Sequence, residues 1–132
     1  MTRAGALLLI LPGSILLGSL PAWAVDWSQA QTLTMSETEY QFTPNKLTLR
    51  RGVAYRLRLE NHGKELHEFT APEFIRSAEI GNPEALNADK TEVIVKPGSA
   101  KDLLFMPKAA GRYRFICADH DWAGMTGKIT VK

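Results

Sequence analysis

Arg112-Tyr113-Arg114-Phe115-Ile116-Cys117-Ala118-Asp119-His120-Asp121-Trp122-Ala123-Gly124-Met125 is the stretch on which the reading of this chain turns. Its first half alternates, with Tyr113, Phe115 and Cys117 on one parity and Arg112 and Arg114 on the other, the pattern of a half-buried strand. Cys117 therefore continues the inward face at the end of the strand. His120 and Met125 follow in a loop, and Gly127-Lys128-Ile129-Thr130-Val131 resumes the alternation.

Working outward, the period of two recurs along the chain. Val53-Ala54-Tyr55-Arg56-Leu57-Arg58-Leu59-Glu60 is the clearest case, with Val53, Tyr55, Leu57 and Leu59 on one face. Shorter alternating runs are read at Thr32–Met35, Glu39–Phe42, Lys46–Arg50, Leu66–Thr70, Glu92–Lys96 and Ala100–Met106, separated by turn residues such as Pro44-Asn45, Arg51-Gly52 and Pro97-Gly98. Seven to eight short strands at this spacing predict an all-β sandwich or barrel. Residues Ala71 to Lys90 break the rhythm and predict a loop or a short helix, with Asn82 capping a first turn at Pro83-Glu84-Ala85-Leu86.

The first 24 residues read differently. Arg3, an apolar run from Ala6 to Leu20 and Ala22-Trp23-Ala24 have the order of a secretory signal with a small-x-small cleavage site. A retained anchor is the rival reading, but Pro12, Gly13, Gly18 and Pro21 interrupt the run. The expected organisation is a signal peptide over 1–24, and one domain over 25–132 that is exported to the periplasm and is not inserted in the membrane. Of the 16 basic residues only Arg3 falls in the leader, leaving 15 against 14 acidic ones, a formal charge of +1. With no basic run or stripe in the sequence, nucleic acid is not an expected partner.

One cysteine in an exported chain cannot close an internal disulfide, and an exposed free thiol there is open to oxidation. Cys117 is thus either a buried small hydrophobe or a metal-bound thiolate, and its neighbours favour the second. Thiolate, imidazole and thioether are soft or borderline donors, and two histidines, one cysteine and a long axial methionine are the set that holds copper for electron transfer. The second histidine is His62 or His67. His67 lies in an extended run between Leu66 and Phe69 and is the better-held candidate, whereas His62 sits in a turn between Asn61 and Gly63.

At this point the chain resembles the cupredoxin family of small blue-copper proteins. The resemblance rests on Phe42-Thr43-Pro44 before Leu47–Leu49, Gly52, Asn61 ahead of His67, Gly111 through Cys117, and the Cys117-x-x-His120-x-x-x-x-Met125 spacing followed by Gly127. It implies a Greek-key β-sandwich, with one copper ion cycling between Cu(I) and Cu(II) on His67, Cys117, His120 and Met125. It also implies a monomer serving a redox partner such as a cytochrome or copper oxidoreductase. The runner-up reading is a copper carrier or buffer on the same ligands; a third is a metal-free interaction domain with a structural thiol. An enzyme is not expected, because four donors leave no open position for substrate, and three histidines are too few for a further oxygen-reducing cluster. Zinc is disfavoured because methionine is a poor zinc ligand.

Two departures from the family pattern stand out. Many relatives have asparagine after the first histidine, where this chain has Glu68, and Asp119 and Asp121 bracket His120. Three carboxylates are therefore expected near the copper, favouring Cu(II) and lowering the potential. Trp122 is expected to pack over the site rather than to form an exposed docking patch, and Trp27 has no assigned role.

Overall fold

The computed structural model describes Met1 and residues 23–132, so the signal peptide read over 1–24 lies almost wholly outside the described residues. Among the described residues, no helix is long and apolar enough to cross a membrane. In chain order, the strands are β1 (Gln31–Thr38), β2 (Gln41–Thr43), β3 (Lys46–Leu49), β4 (Tyr55–Asn61) and β5 (His67–Thr70). After the helix α1 (Pro72–Ser77) come β6 (Ala78–Ile80), β7 (Glu92–Val95), β8 (Ala100–Pro107), β9 (Gly111–Ile116) and β10 (Thr126–Val131).

They form two five-stranded sheets of order β2-β1-β4-β8-β6 and β3-β10-β9-β5-β7. The β1–β4 and β3–β10 pairs are parallel and the others antiparallel. The inward parity of each strand fills the space between the sheets. Met35, Leu57, Leu59, Leu103 and Phe105 from the first sheet and Leu49, Phe69, Val93, Val95, Phe115 and Ile129 from the second are fully excluded from solvent. Phe115 is central, with Phe42 and Phe69 rings each 5.0 Å from its own, and such aromatic contacts add to simple burial.

The all-β sandwich agrees with the sequence reading, and its ten strand segments exceed the expected seven to eight. Part of the excess is β6, in the segment expected to be loop or helix; Glu39-Tyr40, expected to be extended, is a turn before β2. The helix in that segment is α1, starting at Pro72 and burying Phe74 and Ile75, whereas Pro83–Ala85 forms only a 3-10 turn. Asn82 does not cap that turn with its side chain. Its Nδ2 donates to the Asp102 carbonyl at 2.8 Å and its Oδ1 accepts from the Leu104 amide at 2.7 Å, clamping the loop to β8. Trp27, in the 3-10 turn Trp27–Gln29, lies against Gly81, where a Cβ would collide with its indole.

Register also builds a feature that the linear sequence hides. Lys128 stands opposite Lys46 on one side and Arg114 on the other, so three exposed cations form a row across β3, β10 and β9. Like charges in cross-strand positions are unfavourable, and none of the three is in a salt bridge among the described residues.

One core position on β1 is polar. Glu37 shares the inward parity of Met35, is fully buried, and has neither carboxyl oxygen hydrogen-bonded. Burial, reinforced by the nearby Glu68 carboxyl, pushes its pKa up to about 8. A carboxyl raised in the folded state costs nothing while both states are protonated. It becomes destabilising as pH rises from about 4.5 towards about 8, where the unfolded chain ionises and the native one does not. Glu37→Gln is accordingly expected to match the parent near pH 4 and to exceed it at pH 8 by on the order of a few kcal/mol. Urea unfolding of the copper-free protein at the two pH values measures this, and equal stability differences at both would exclude the ionisation account.

Candidate metal centre

The centre is built at one end of the second sheet, where β9 runs out. Cys117 follows Ile116, and its amide donates to the Met125 carbonyl at 2.9 Å, closing the base of a loop that returns directly into β10. Inside the loop the His120 amide donates to the Cys117 carbonyl at 3.1 Å and the Ala123 amide to the His120 carbonyl at 3.0 Å, giving the 3-10 turn Asp121–Ala123. Gly124 then adopts φ +82°, a left-handed conformation that an L side chain resists, and redirects the chain inward at Met125. Cys117, His120 and Met125 are all buried.

His67 arrives from the neighbouring strand. It opens β5, pairs with Val95 of β7 and is fully buried. Its Nδ1 lies 3.9 Å from Cys117 Sγ, and His120 Nδ1 lies 3.3 Å from the same sulfur. The ligand atoms of His67, Cys117 and His120 all fall within 4.8 Å of one another. The two sulfur–nitrogen separations are ones that a single ion spans with bonds of about 2.0 Å to nitrogen and 2.3 Å to sulfur. The chemistry of the donors fits copper, since imidazole and thiolate converge and Met125 is the buried thioether at the loop's far end. His62 is excluded: it is exposed, and its Nε2 faces Glu60 Oε2 at 3.1 Å.

With both Nδ1 atoms turned towards the sulfur, both Nε2 atoms point outward, and each meets a carboxylate. His67 Nε2 is 3.3 Å from Glu39 Oε1, and His120 Nε2 is 2.7 Å from Glu65 Oε2. Glu39 Oε1 also accepts the Lys64 amide at 2.6 Å and the Glu65 amide at 2.8 Å. The Glu65 amide, followed by that of Lys64, holds its carboxyl below the usual carboxylate range. The Glu39 carboxylate occupies the space where a Cβ on residue 63 would stand, so the turn admits it only because that residue is Gly63. Asn61 shapes the same turn: its Nδ2 donates to the Glu65 and Val95 carbonyls at 2.8 and 2.9 Å, and its Oδ1 accepts the Gly63 amide at 2.9 Å.

The expected ring of Glu68, Asp119 and Asp121 is corrected accordingly. Glu68 is buried, and it links the two ligand segments. Its amide donates to Cys117 Sγ at 3.4 Å, while its Oε2 accepts from the thiol at 3.0 Å and from the Asp119 amide at 3.4 Å. Its pKa is raised, chiefly by burial. Asp119 is exposed, yet its carboxyl stands close enough to Glu68 to help raise that group's pKa, whereas Asp121 is exposed and makes no hydrogen bond to the donor residues. The sequence does not single out Glu39 or Glu65; the one signal it carries is that Glu65 stands two residues before His67. Trp122 is also corrected. It is 76% exposed, its indole N–H donating to the Asp119 carbonyl at 2.9 Å, so it does not seal the site. The ring covering His120 is that of Tyr40, with centroids 4.8 Å apart, and Tyr40 OH donates to Glu65 Oε1 at 3.3 Å.

Comparison with known proteins agrees with this architecture. A family described as "Cupredoxin-like domain" matches residues 8–131. No curated protein matches the chain. Among solved structures, auracyanin B is 21% identical with a TM-score of 0.61, covering 82% of this chain and 93% of its own. Dithionite-reduced auracyanin from Roseiflexus castenholzii is 21% identical with a TM-score of 0.60, covering 78% and 98%. Auracyanin A, a "blue" copper protein from Chloroflexus aurantiacus, is 21% identical with a TM-score of 0.57, covering 76% and 98%. At this identity the likeness is one of fold.

Burial, with Glu68 beside it, pushes the Cys117 thiol up to about 12 in the metal-free protein. The thiolate is the reactive form, so native copper-free protein is expected to resist iodoacetamide at pH 8 and to be modified at Cys117 once unfolded in urea. Mass spectrometry of the two samples reads the difference, and rapid native modification contradicts the burial.

Proposed function

The chain belongs to the cupredoxin-like domain family, and on that premise we propose that it is a type 1 copper protein that carries single electrons between redox partners. The observation that carries the proposal is the convergence of His67 Nδ1, Cys117 Sγ and His120 Nδ1 within one buried cluster. Copper bound there supplies reversible Cu(I)/Cu(II) chemistry.

The residues make that exchange fast by not moving. His67 is fixed by the β5–β7 ladder, Cys117 by the base of its loop and the Glu68 amide, and Met125 by the first residue pair of β10 behind it. Cys117 is the electronic route inward along β9, and His120, beneath Tyr40, is the ligand nearest the surface. Four donors fill the coordination sphere, so this reading requires no substrate position. Secretion to the periplasm through the leader over 1–24, a monomeric state, and a partner that is a cytochrome or copper oxidoreductase complete the proposal.

The test is spectroscopic and electrochemical. Addition of one equivalent of Cu(II) to the purified 25–132 domain is expected to give an intense visible thiolate band and a reversible one-electron wave. Cys117→Ser is expected to abolish the band, while His62→Ala leaves both unchanged. Copper that binds without a reversible wave and passes readily to a Cu(I) chelator would instead support carriage of the metal as cargo.

A further inference from the structure

The outward faces of the two imidazoles carry information that the four donors do not. Both rings sit with Nδ1 inward, and on each the opposite nitrogen is met by a carboxylate from elsewhere in the fold. Glu39 comes from the turn after β1, and Glu65 from the loop before β5. We propose that Glu39 and Glu65 are positioning residues that accept the Nε2–H of His67 and His120, locking both rings in the tautomer whose Nδ1 lone pair faces the metal and favouring the oxidised ion. The inference rests on the copper reading above.

Three observations converge on it. First, a neutral imidazole can present a lone pair at only one nitrogen, so a carboxylate accepting at Nε2 selects Nδ1 as the donor. A carboxylate there also raises ligand basicity. Second, neither glutamate is free to drift. Glu39 is gripped by the Lys64 and Glu65 amides in the space left by Gly63, and Glu65 receives the Tyr40 hydroxyl. Third, the two clamps are joined, because the Glu65 amide donates to Glu39 while the Glu65 side chain meets His120. The contact between these two glutamates thus couples the orientation of a ring on β5 to that of a ring in the loop between β9 and β10. The Tyr40 ring on His120 closes the remaining side.

Position and charge are separable by substitution. Glutamine retains an oxygen acceptor but no charge, and alanine removes both. Glu39→Gln and Glu65→Gln in the copper-loaded domain are each expected to keep the thiolate band and raise the reduction potential, because the oxidised ion loses more stabilisation than the reduced one. Glu65→Ala is expected to shift the visible and EPR spectra and to lower Cu(II) affinity by ~10–100-fold in a competition titration. Gly63→Ala gives an independent handle on Glu39: it displaces the carboxylate without removing its charge, and is expected to perturb the spectrum with the potential changed less than in Glu39→Gln.

A parental potential in either glutamine variant overturns the role assigned to that glutamate, and a parental spectrum and affinity in Glu65→Ala overturn the clamp on His120. Thermal unfolding of each copper-free variant identifies any that fail to fold; Glu65, at a half-exposed side chain, is the substitution least exposed to that failure. If the parent itself forms no thiolate–Cu(II) band, the copper reading fails rather than the clamp.

Discussion

β5 and β9 pair at a single step, Thr70 with Ile116, and everything at the metal end depends on their parting there. Each strand is committed on its other side: β5 to β7 over four residue pairs, β9 to β10 over six. The two sheet neighbours can therefore diverge without either losing its place. Into the gap go the His67 ring and the Cys117 sulfur, and where a ladder bond would have continued, the Glu68 amide donates to sulfur instead. His67 is held on a strand and Cys117 and Met125 directly at strand ends, which is the condition for a site with little to rearrange.

Beneath that gap the packing is aromatic. Phe115 lies two residues before Cys117 and touches both Phe42 and Phe69, so the inward parity of β9 passes from a rigid ring cluster directly to the sulfur. This continuity was legible in the sequence, because a period of two assigns Phe115 and Cys117 to one face. The choice of His67 over His62 was legible for a related reason: one falls on an alternating strand, the other between Asn61 and Gly63. What the sequence concealed is whatever depends on pairing between distant segments. Lys46, Arg114 and Lys128 become a row only when β3, β10 and β9 come into register.

The carboxylates show the same limit more sharply. Asp121 follows a ligand in sequence and yet faces solvent, because it opens the 3-10 turn after His120. Glu39, 28 positions before His67, reaches its ring because a turn after β1 and the Asn61-shaped loop before β5 happen to meet. Adjacency found Glu68, which reaches the thiol of the neighbouring segment, and misplaced Asp121, whose direction is set by a tight turn. Trp122 escaped the reading for that reason too.

The last strand has a consequence of its own. β10 is not an edge: it lies between β3 and β9, and just past its end Lys132 donates to the Leu49 carbonyl and accepts the Arg51 amide, prolonging the tie to β3. Met125 precedes it by one residue. β10 therefore closes the second sheet and the base of the ligand loop at once, so that any loosening of its pairing with β9 is felt directly at Met125.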